Sequence, residues 1–214
     1  KLIERLAADI GLGTTIEAIP HPITYESVIS MFRACDVIFG CTDDEWGRSL
    51  LTRFAVYYGI PVIDMGVKID SDGETIRTIQ GRVTTLMPGT ACLNCRSRIS
   101  AERIRAESMW ADDPEKAKEL EKEGYIPRLN DPAPAVVPFT TMIASTAVAE
   151  LLHRLTGFLG DGRESSEVIH LIDDTRVRTN RVPAREDCFC ADRSFWGRGD
   201  TKPLLDTTWR PEPQ

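Results

Sequence analysis

The sequence has no apolar run that could cross a bilayer uninterrupted. The best candidate, residues 138–157, is broken by Glu150, His153 and Arg154, whereas a span needs about 20 mostly apolar residues; no membrane role is expected. It also lacks a basic balance. Twenty-six Lys and Arg stand against 33 Asp and Glu, a net charge of −7, so nothing in the charge supports binding to nucleic acid. No signal peptide, internal repeat or low-complexity segment is found. Six cysteines in 214 residues fall short of a disulfide-dense secreted scaffold, and their close pairing fits metal or redox chemistry in a reducing cytoplasm better. No G-x-G-x-x-G follows a strand, so the usual phosphate cradle is missing from the sequence. Lys1 stands where an initiator methionine would, and the chain is expected to be a piece of a longer protein.

What is present is an ordinary soluble composition, 42% hydrophobic and 28% charged. Residues 1–10 have helical spacing, closed by Gly11-Leu12-Gly13. Thr14 to Ile19 is rich in β-branched residues and reads as a strand, and residues 24–34 as a helix. Asp36 to Gly40 reads as a short buried strand, 44–58 as a helix and Pro61 to Met65 as the next strand. This alternation predicts a parallel, doubly wound sheet. From Glu74 to Met87 two β-rich runs, Thr75–Gln80 and Arg82–Met87, are expected to form an antiparallel excursion. Residues 101–125 read as solvated helix, 138–157 as a long Ala-rich helix, and 168–172 and 176–182 as strands. The tail beyond Asp187 reads as irregular, a surface strap carrying Trp196 and Trp209 around Arg198-Gly199-Asp200.

Three groups of residues carry chemistry. Cys92-Leu93-Asn94-Cys95 and Cys188-Phe189-Cys190 suit a structural tetrahedral Cys₄ zinc site; buried thiols or a redox pair are the alternatives. Asp43, in Cys41-Thr42-Asp43-Asp44, follows a strand whose C-terminal end should face the ligand crevice. Its carboxylate suits a Mg²⁺ ion, or caps the next helix. Arg48 is placed to pair with Asp44 at i, i+4 or to help hold a ligand. Cys35 and Cys41 read as buried small hydrophobes, and His21, His153 and His170 as unrelated.

The order of features is a buried strand, Cys-Thr-Asp-Asp with Arg48 five residues after Asp43, a helix, a Pro-Val strand and an antiparallel excursion. Then come Pro-Gly-x-x-Cys-x-x-Cys, a crossover, an Ala-rich helix and a second cysteine pair. This order resembles the ThiF/MoeB/HesA family of ubiquitin-activating-enzyme-like adenylyltransferases. The resemblance spans residues 1–190 and leaves 191–214 as an irregular tail. It implies a Rossmann-like α/β fold with a mixed, mainly parallel sheet flanked by helices, an antiparallel extension and a Cys₄ zinc site. It also implies ATP, Mg²⁺ and Zn²⁺ as cofactors, and adenylation of the C-terminal carboxylate of a ubiquitin-like or sulfur-carrier protein. Asp43 and Arg48 become catalytic residues, with Lys1, Asp43 and Asp44 at the nucleotide and Lys1 against phosphate. Residues 80–90 and 130–137 would line the groove for the incoming tail. Family members are usually dimers, so a homodimer or fusion to further conjugation-pathway domains is implied.

This sequence departs from the family in having Asp44 where asparagine is usual and C-x-C for the second cysteine pair. No cysteine lies between Cys95 and Cys188, so the zinc assignment leaves no local thioester nucleophile. The alternative reading is a non-catalytic docking or dimer-partner module, which the missing glycine loop and Asp44 both suit. A nicotinamide-dependent reductase is weaker, since it accounts for neither the cysteine pairs nor the antiparallel excursion.

Overall fold

The computed structural model describes residues 2–129, 136–162 and 164–200. Helix α1, Leu2–Ile10, buries none of its residues. The segment expected to be a strand, Thr14 to Ile19, is exposed and irregular. β-branched composition favours a pleated, half-buried surface, and this segment has no sheet to pair with. Helix α2 (Glu26–Phe32) then leads into β1 (Ile38–Gly40), α3 (Glu45–Tyr58) and β2 (Val62–Ser71). Gly59, left-handed at φ 68°, ends α3, as a C-terminal glycine should.

β1 and β2 pair in parallel, with Ile38 opposite Val62 and Gly40 opposite Asp64. Beyond β2 the expectation of a mainly parallel sheet fails. β3 (Ile76–Leu86) runs antiparallel to β2, β4 (Glu167–Leu171) antiparallel to β3, and β5 (Arg176–Asn180) antiparallel to β4. The order is β1-β2-β3-β4-β5, a mixed sheet that is mostly antiparallel. The strand–helix–strand alternation behind the parallel assignment operates only across β1, α3 and β2. β2 runs on past Met65 into a hairpin. There the Asp72 carboxylate accepts from the Glu74 and Thr75 amides at 3.1 and 2.8 Å, and Gly73 supplies φ 96°. The two runs read within residues 74–87 are one continuous strand, whose antiparallel partner is β2.

Alternation along the strands separates two cores. On one face, Val62 and Leu86 meet Leu51, Phe54 and Ala55 of α3, and the cysteine loops close over this cluster. On the other, Ile63 and Val83 meet Ile143 and Ala147 of α6, Val137–Thr156. Helices α4 (Ala101–Asp112) and α5 (Pro114–Lys122) enclose a small satellite core around Ala106, Ala117 and Ile126. α6 turns Val137, Val148, Leu152 and Leu155 outward, and no helix is long and apolar enough to cross a membrane among the described residues.

α6 reaches the sheet through Gly81, where an added Cβ would run into the Ile143 side chain. Gly81→Ala should therefore destabilise the domain by about 1–3 kcal/mol, the usual cost of overpacking. A urea midpoint unchanged from wild type would show that α6 does not seat on β3 at this point.

Candidate nucleotide end and metal centre

The chain leaves β1 at Gly40 and enters α3 through Cys41-Thr42-Asp43-Asp44. Asp44 is the N-cap: its carboxylate accepts from the Gly47 amide at 2.5 Å, and its extended backbone (φ −86°, ψ 146°) sets the entry angle. The Trp46 amide donates to Glu107 at 2.6 Å, and Glu45 accepts from the Ser100 amide at 2.6 Å, so α4 fixes the start of α3. The capping role open to Asp43 thus falls to its neighbour. Asp43 is exposed and has no hydrogen-bond or ion-pair partner among the described residues.

Arg48 does not pair with Asp44. It reaches the sheet, where its Nε lies 3.4 Å from Asp64 Oδ1. Arg82 of β3 donates from Nη1 to Asp64 Oδ2 at 2.5 Å and to the Thr84 hydroxyl at 3.1 Å. The Asp64 side chain is wholly buried, and the arginine side chains keep 16% and 13% exposure. Burial pushes the Asp64 carboxyl above the usual carboxylate range, with the charges of Arg82 and Arg48 pulling against it. The Cys41 thiol lies 4.0 Å from the Met65 sulfur; the residue is exposed, but its sulfur is partly shielded from water, and that burial first and Asp64 second push the thiol up. Cys35 and Cys41 are both exposed, contrary to their expected burial. They flank a three-residue strand at the sheet border and fall outside its core.

The four cysteines of the two pairs meet at the far end of the α3 face. Pro88-Gly89 turns the chain out of β3, with Gly89 at φ 80°, and a bridge between Thr90 and Pro183 aligns the two loops. Within the first loop the Arg96 and Arg98 amides donate back to the Cys92 and Leu93 carbonyls at 3.2 and 2.8 Å. The Arg185 amide donates to Cys95 Sγ at 3.4 Å. The sulfur separations are 3.7 Å for Cys92–Cys95, 3.7 Å for Cys92–Cys188 and 3.5 Å for Cys95–Cys190. All four Sγ atoms lie within 4.8 Å of one another. Tetrahedral ligands about 2.3 Å from zinc sit roughly 3.8 Å apart, so this spacing fits a Cys₄ metal site. It is too long for a disulfide, whose S–S bond is about 2.05 Å.

The donor set behaves as one unit. Hydrogen bonding from Cys190 pulls the Cys92 thiol down to about 5 against the effect of burial. Burial pushes Cys188 up to about 11, and Cys190 moves upward because its proton is shared with Cys92. Such a ring of sulfurs can hold a soft or borderline cation once its thiols give up their protons. A closed Cys₄ set leaves no coordination position for substrate, as in structural metal sites.

A second buried carboxylate anchors this centre. Glu167 of β4 accepts from Arg98 at 3.1 and 3.2 Å, from Arg96 at 3.4 Å, from Asn180 at 3.1 Å and from Thr84 at 3.3 Å. Arg96 and Arg98 lie one and three residues past Cys95, so the loop carrying the first cysteine pair is tied to the sheet by ion pairs. The expected strap is present over Trp196–Gly199. Trp196 donates to the Cys190 carbonyl at 3.1 Å and lies against Gly89. The Gly197 and Gly199 amides donate to the Val56 and Tyr57 carbonyls at 3.0 and 2.7 Å. Gly199 packs against the Tyr58 ring, so the Arg-Gly-Asp tripeptide serves as a strap.

Sequence reasoning did not single out Asp64, Arg82, Arg96, Arg98 or Glu167. A signal existed for each acid: Asp64 lies inside the apolar run Pro-Val-Ile-Asp-Met, and Glu167 immediately precedes Val-Ile. An acid inside a buried strand requires a partner. The expected contacts of Lys1, residues 130–135 and Trp209 lie outside the described residues. His153 is buried, accepting from the Leu159 amide at 3.3 Å, while His170 meets Thr146 at 3.2 Å; neither joins the other sites. An apolar cleft of about 890 Å³ runs between Val37, Pro61, Met87 and Leu155, beside the start of β1 and on the opposite end of the sheet from Asp43.

Compared with known families, residues 2–191 match the model of the ThiF family. No curated protein matches the chain.

Proposed function

The chain belongs to the ThiF family, and on that premise we propose that it takes part in the ATP-dependent adenylation of a ubiquitin-like or sulfur-carrier protein at its C-terminal carboxylate. Family membership supports adenylyltransferase-type chemistry in general, and ThiF-family proteins generally act on ubiquitin-like or sulfur-carrier partners. The observation that carries the finer reading is the division of labour between two adjacent acids. Asp44 is spent as the cap of α3, and Asp43 keeps an exposed carboxylate beyond the C-terminal end of a parallel strand, the end at which α/β sheets bind ligands.

In this reading Asp43 holds the Mg²⁺ of Mg·ATP, since Mg²⁺ takes oxygen ligands from one or two carboxylates and from phosphates. A carboxylate oxygen of the carrier protein attacks the α-phosphorus. The bond to the bridging oxygen breaks, and pyrophosphate leaves with that electron pair. Arg48 stabilises developing negative charge from the first turn of α3, and catalysis consists mainly of positioning and electrostatics. Lys1 is assigned to phosphate by the same resemblance. Asp44 takes the family's asparagine position beside the nucleotide, with its negative charge directed at the Gly47 amide. The Cys₄ centre holds zinc and staples the loop after β3 to the segment after β5. Six cysteines without a disulfide suit a reducing, cytoplasmic setting. Association as a homodimer, or with further conjugation-pathway domains, would cover the apolar outer face of α6.

Asp43→Ala in the natural protein should lower ATP–pyrophosphate exchange by about 10²-fold or more, the scale of losing one electrostatic stabiliser, with the circular dichroism unchanged. Exchange undiminished in that variant would remove Asp43 from the mechanism. A wild-type protein that binds its carrier without any exchange would favour the docking-module reading.

A further inference from the structure

We propose that Glu107, carried on α4, is the positioning residue for Asp43. Asp43 is exposed and makes no bond of its own among the described residues, and the Thr42 hydroxyl beside it is buried without a partner there. Where the Asp43 carboxylate stands is therefore set by the two anchors of its loop. One is Gly40, paired with Asp64 in the sheet. The other is Trp46, the buried second residue of α3, whose amide donates to Glu107 Oε2 at 2.6 Å. Asp43 lies midway between them in sequence. The first anchor belongs to the sheet, whereas the second arrives from 61 residues further along the chain.

The contact is reciprocal. Glu45, in the first turn of α3, accepts at 2.6 Å from the amide of Ser100, the N-cap of α4. Each helix start is thus held by a carboxylate from the other helix, at the end where open amides and the helix dipole favour an acid. Arg103 lies between the two acids, its Nε 3.4 Å from Glu107 and 3.9 Å from Glu45, and offsets part of their charge. The Glu107 side chain keeps 12% exposure, so little water competes for its charge-assisted bond. α4 is itself seated, by Ala106 in the satellite core and by Ile104 against the α3-side core, so this carboxylate comes from a fixed support. Asp44 caps the same turn, but that bond is internal to the loop and moves with it; Glu107 ties the turn to a separate element. A displacement of about 1 Å costs up to about 10²-fold in rate, so a loop whose acid must meet a metal ion gains from such a tie.

The consequence for catalysis rests on the adenylation reading; the placement of the loop does not. The test takes the natural protein, labelled with ¹⁵N, and compares wild type with Glu107→Ala, Glu107→Gln and Glu107→Asp. In Glu107→Ala the Trp46 amide should exchange with solvent at least tenfold faster, and the Thr42, Asp43 and Asp44 amide resonances should move. Glu107→Gln keeps an acceptor oxygen for Trp46 and should stay near wild type. Glu107→Asp keeps the charge but draws it back by one methylene, so it should move the same resonances even if Glu107→Ala folds poorly. In ATP–pyrophosphate exchange, kcat per folded molecule should fall by about 10-fold or more in Glu107→Ala. The Mg²⁺ concentration giving half-maximal exchange should rise with it, and Glu107→Gln should restore both. The proposal is overturned if the residue 42–44 resonances stay in place in Glu107→Ala and Glu107→Asp. It is equally overturned if Glu107→Ala melts earlier while keeping the wild-type kcat and Mg²⁺ dependence, the signature of a purely structural contact. A wild-type protein without exchange activity would sink the adenylation reading, and the amide resonances alone would then decide whether Glu107 places the loop.

Discussion

Cys95→Ser is expected to strip the chain of bound zinc and to lower its stability by about 4–5 kcal/mol, the chain-entropy estimate for a cross-link closing a loop of this length. Cys95 is the least buried of the four, so a serine there leaves no new polar group sealed in the core. It does remove a thiolate, the only form of the side chain that binds zinc well. The centre joins Cys95 to Cys190 across 95 residues of sequence. Those residues include α4, α5, α6, β4 and β5, so the metal closes the loop holding most of the C-terminal half. Binding free energy of a structural metal counts directly as folding free energy. Elemental analysis should find one zinc per chain in wild type and substoichiometric zinc in the variant. A chelator should carry wild type to the variant's melting temperature. A wild-type protein purified without metal, or a variant melting with wild type, would overturn the zinc assignment.

That centre was legible in the sequence because ligand spacing is local: a two-residue spacer turns both sulfurs to one side whatever the surroundings. Helices α3 and α6 were legible for the same kind of reason, since an apolar run and a terminal glycine, Gly59 or Gly157, are read within one element. Sheet direction is not local. Nothing between Pro61 and Met65 states whether β2 will stop or continue, and its continuation to Ser71 decides that the following strand returns as a hairpin. Thr14 to Ile19 has the composition of a strand, but a strand needs a neighbour, and it pairs with none of the described strands.

The entrance to α3 shows the same limit at the level of single side chains. Spacing of four on α3 made Asp44 the natural partner of Arg48. Two stronger demands intervene. The first turn of α3 has amide groups to satisfy, and Asp44 meets one of them. The wholly buried Asp64 requires cations, and Arg48 meets that need together with Arg82. Burial cost exceeds the few tenths of a kcal/mol available to a surface i, i+4 pair. Identifying Arg48's partner therefore requires knowing that β1 and β2 are adjacent, which the strand–helix–strand pattern does predict, and that Asp64 faces α3, which follows only from the register.

Glu167→Ala should destabilise the domain by about 3–5 kcal/mol, because Arg96 and Arg98 would be left without the carboxylate that neutralises them. The Arg96 side chain is 2% exposed and that of Glu167 is fully buried, so water cannot replace the lost partner. Glu167→Gln isolates the charge. Burial alone would raise the Glu167 carboxyl. Hydrogen bonds from Arg98 and Asn180, together with the charges of Arg98 and Arg96, outweigh it and hold the group below its ordinary 4.5. A carboxyl depressed in the folded state adds stability that is fully present above its unfolded value and is lost as pH falls through its folded value. Wild type should therefore lose its advantage over Glu167→Gln as pH drops below about 4.5. Acid also protonates the thiolates and releases metal, but it does so in both proteins, so the difference between their denaturation free energies reports Glu167 alone. If that difference is already zero at pH 7, the ion-pair cluster contributes nothing net, and the metal loop is held to the sheet by its cysteines and backbone bridge.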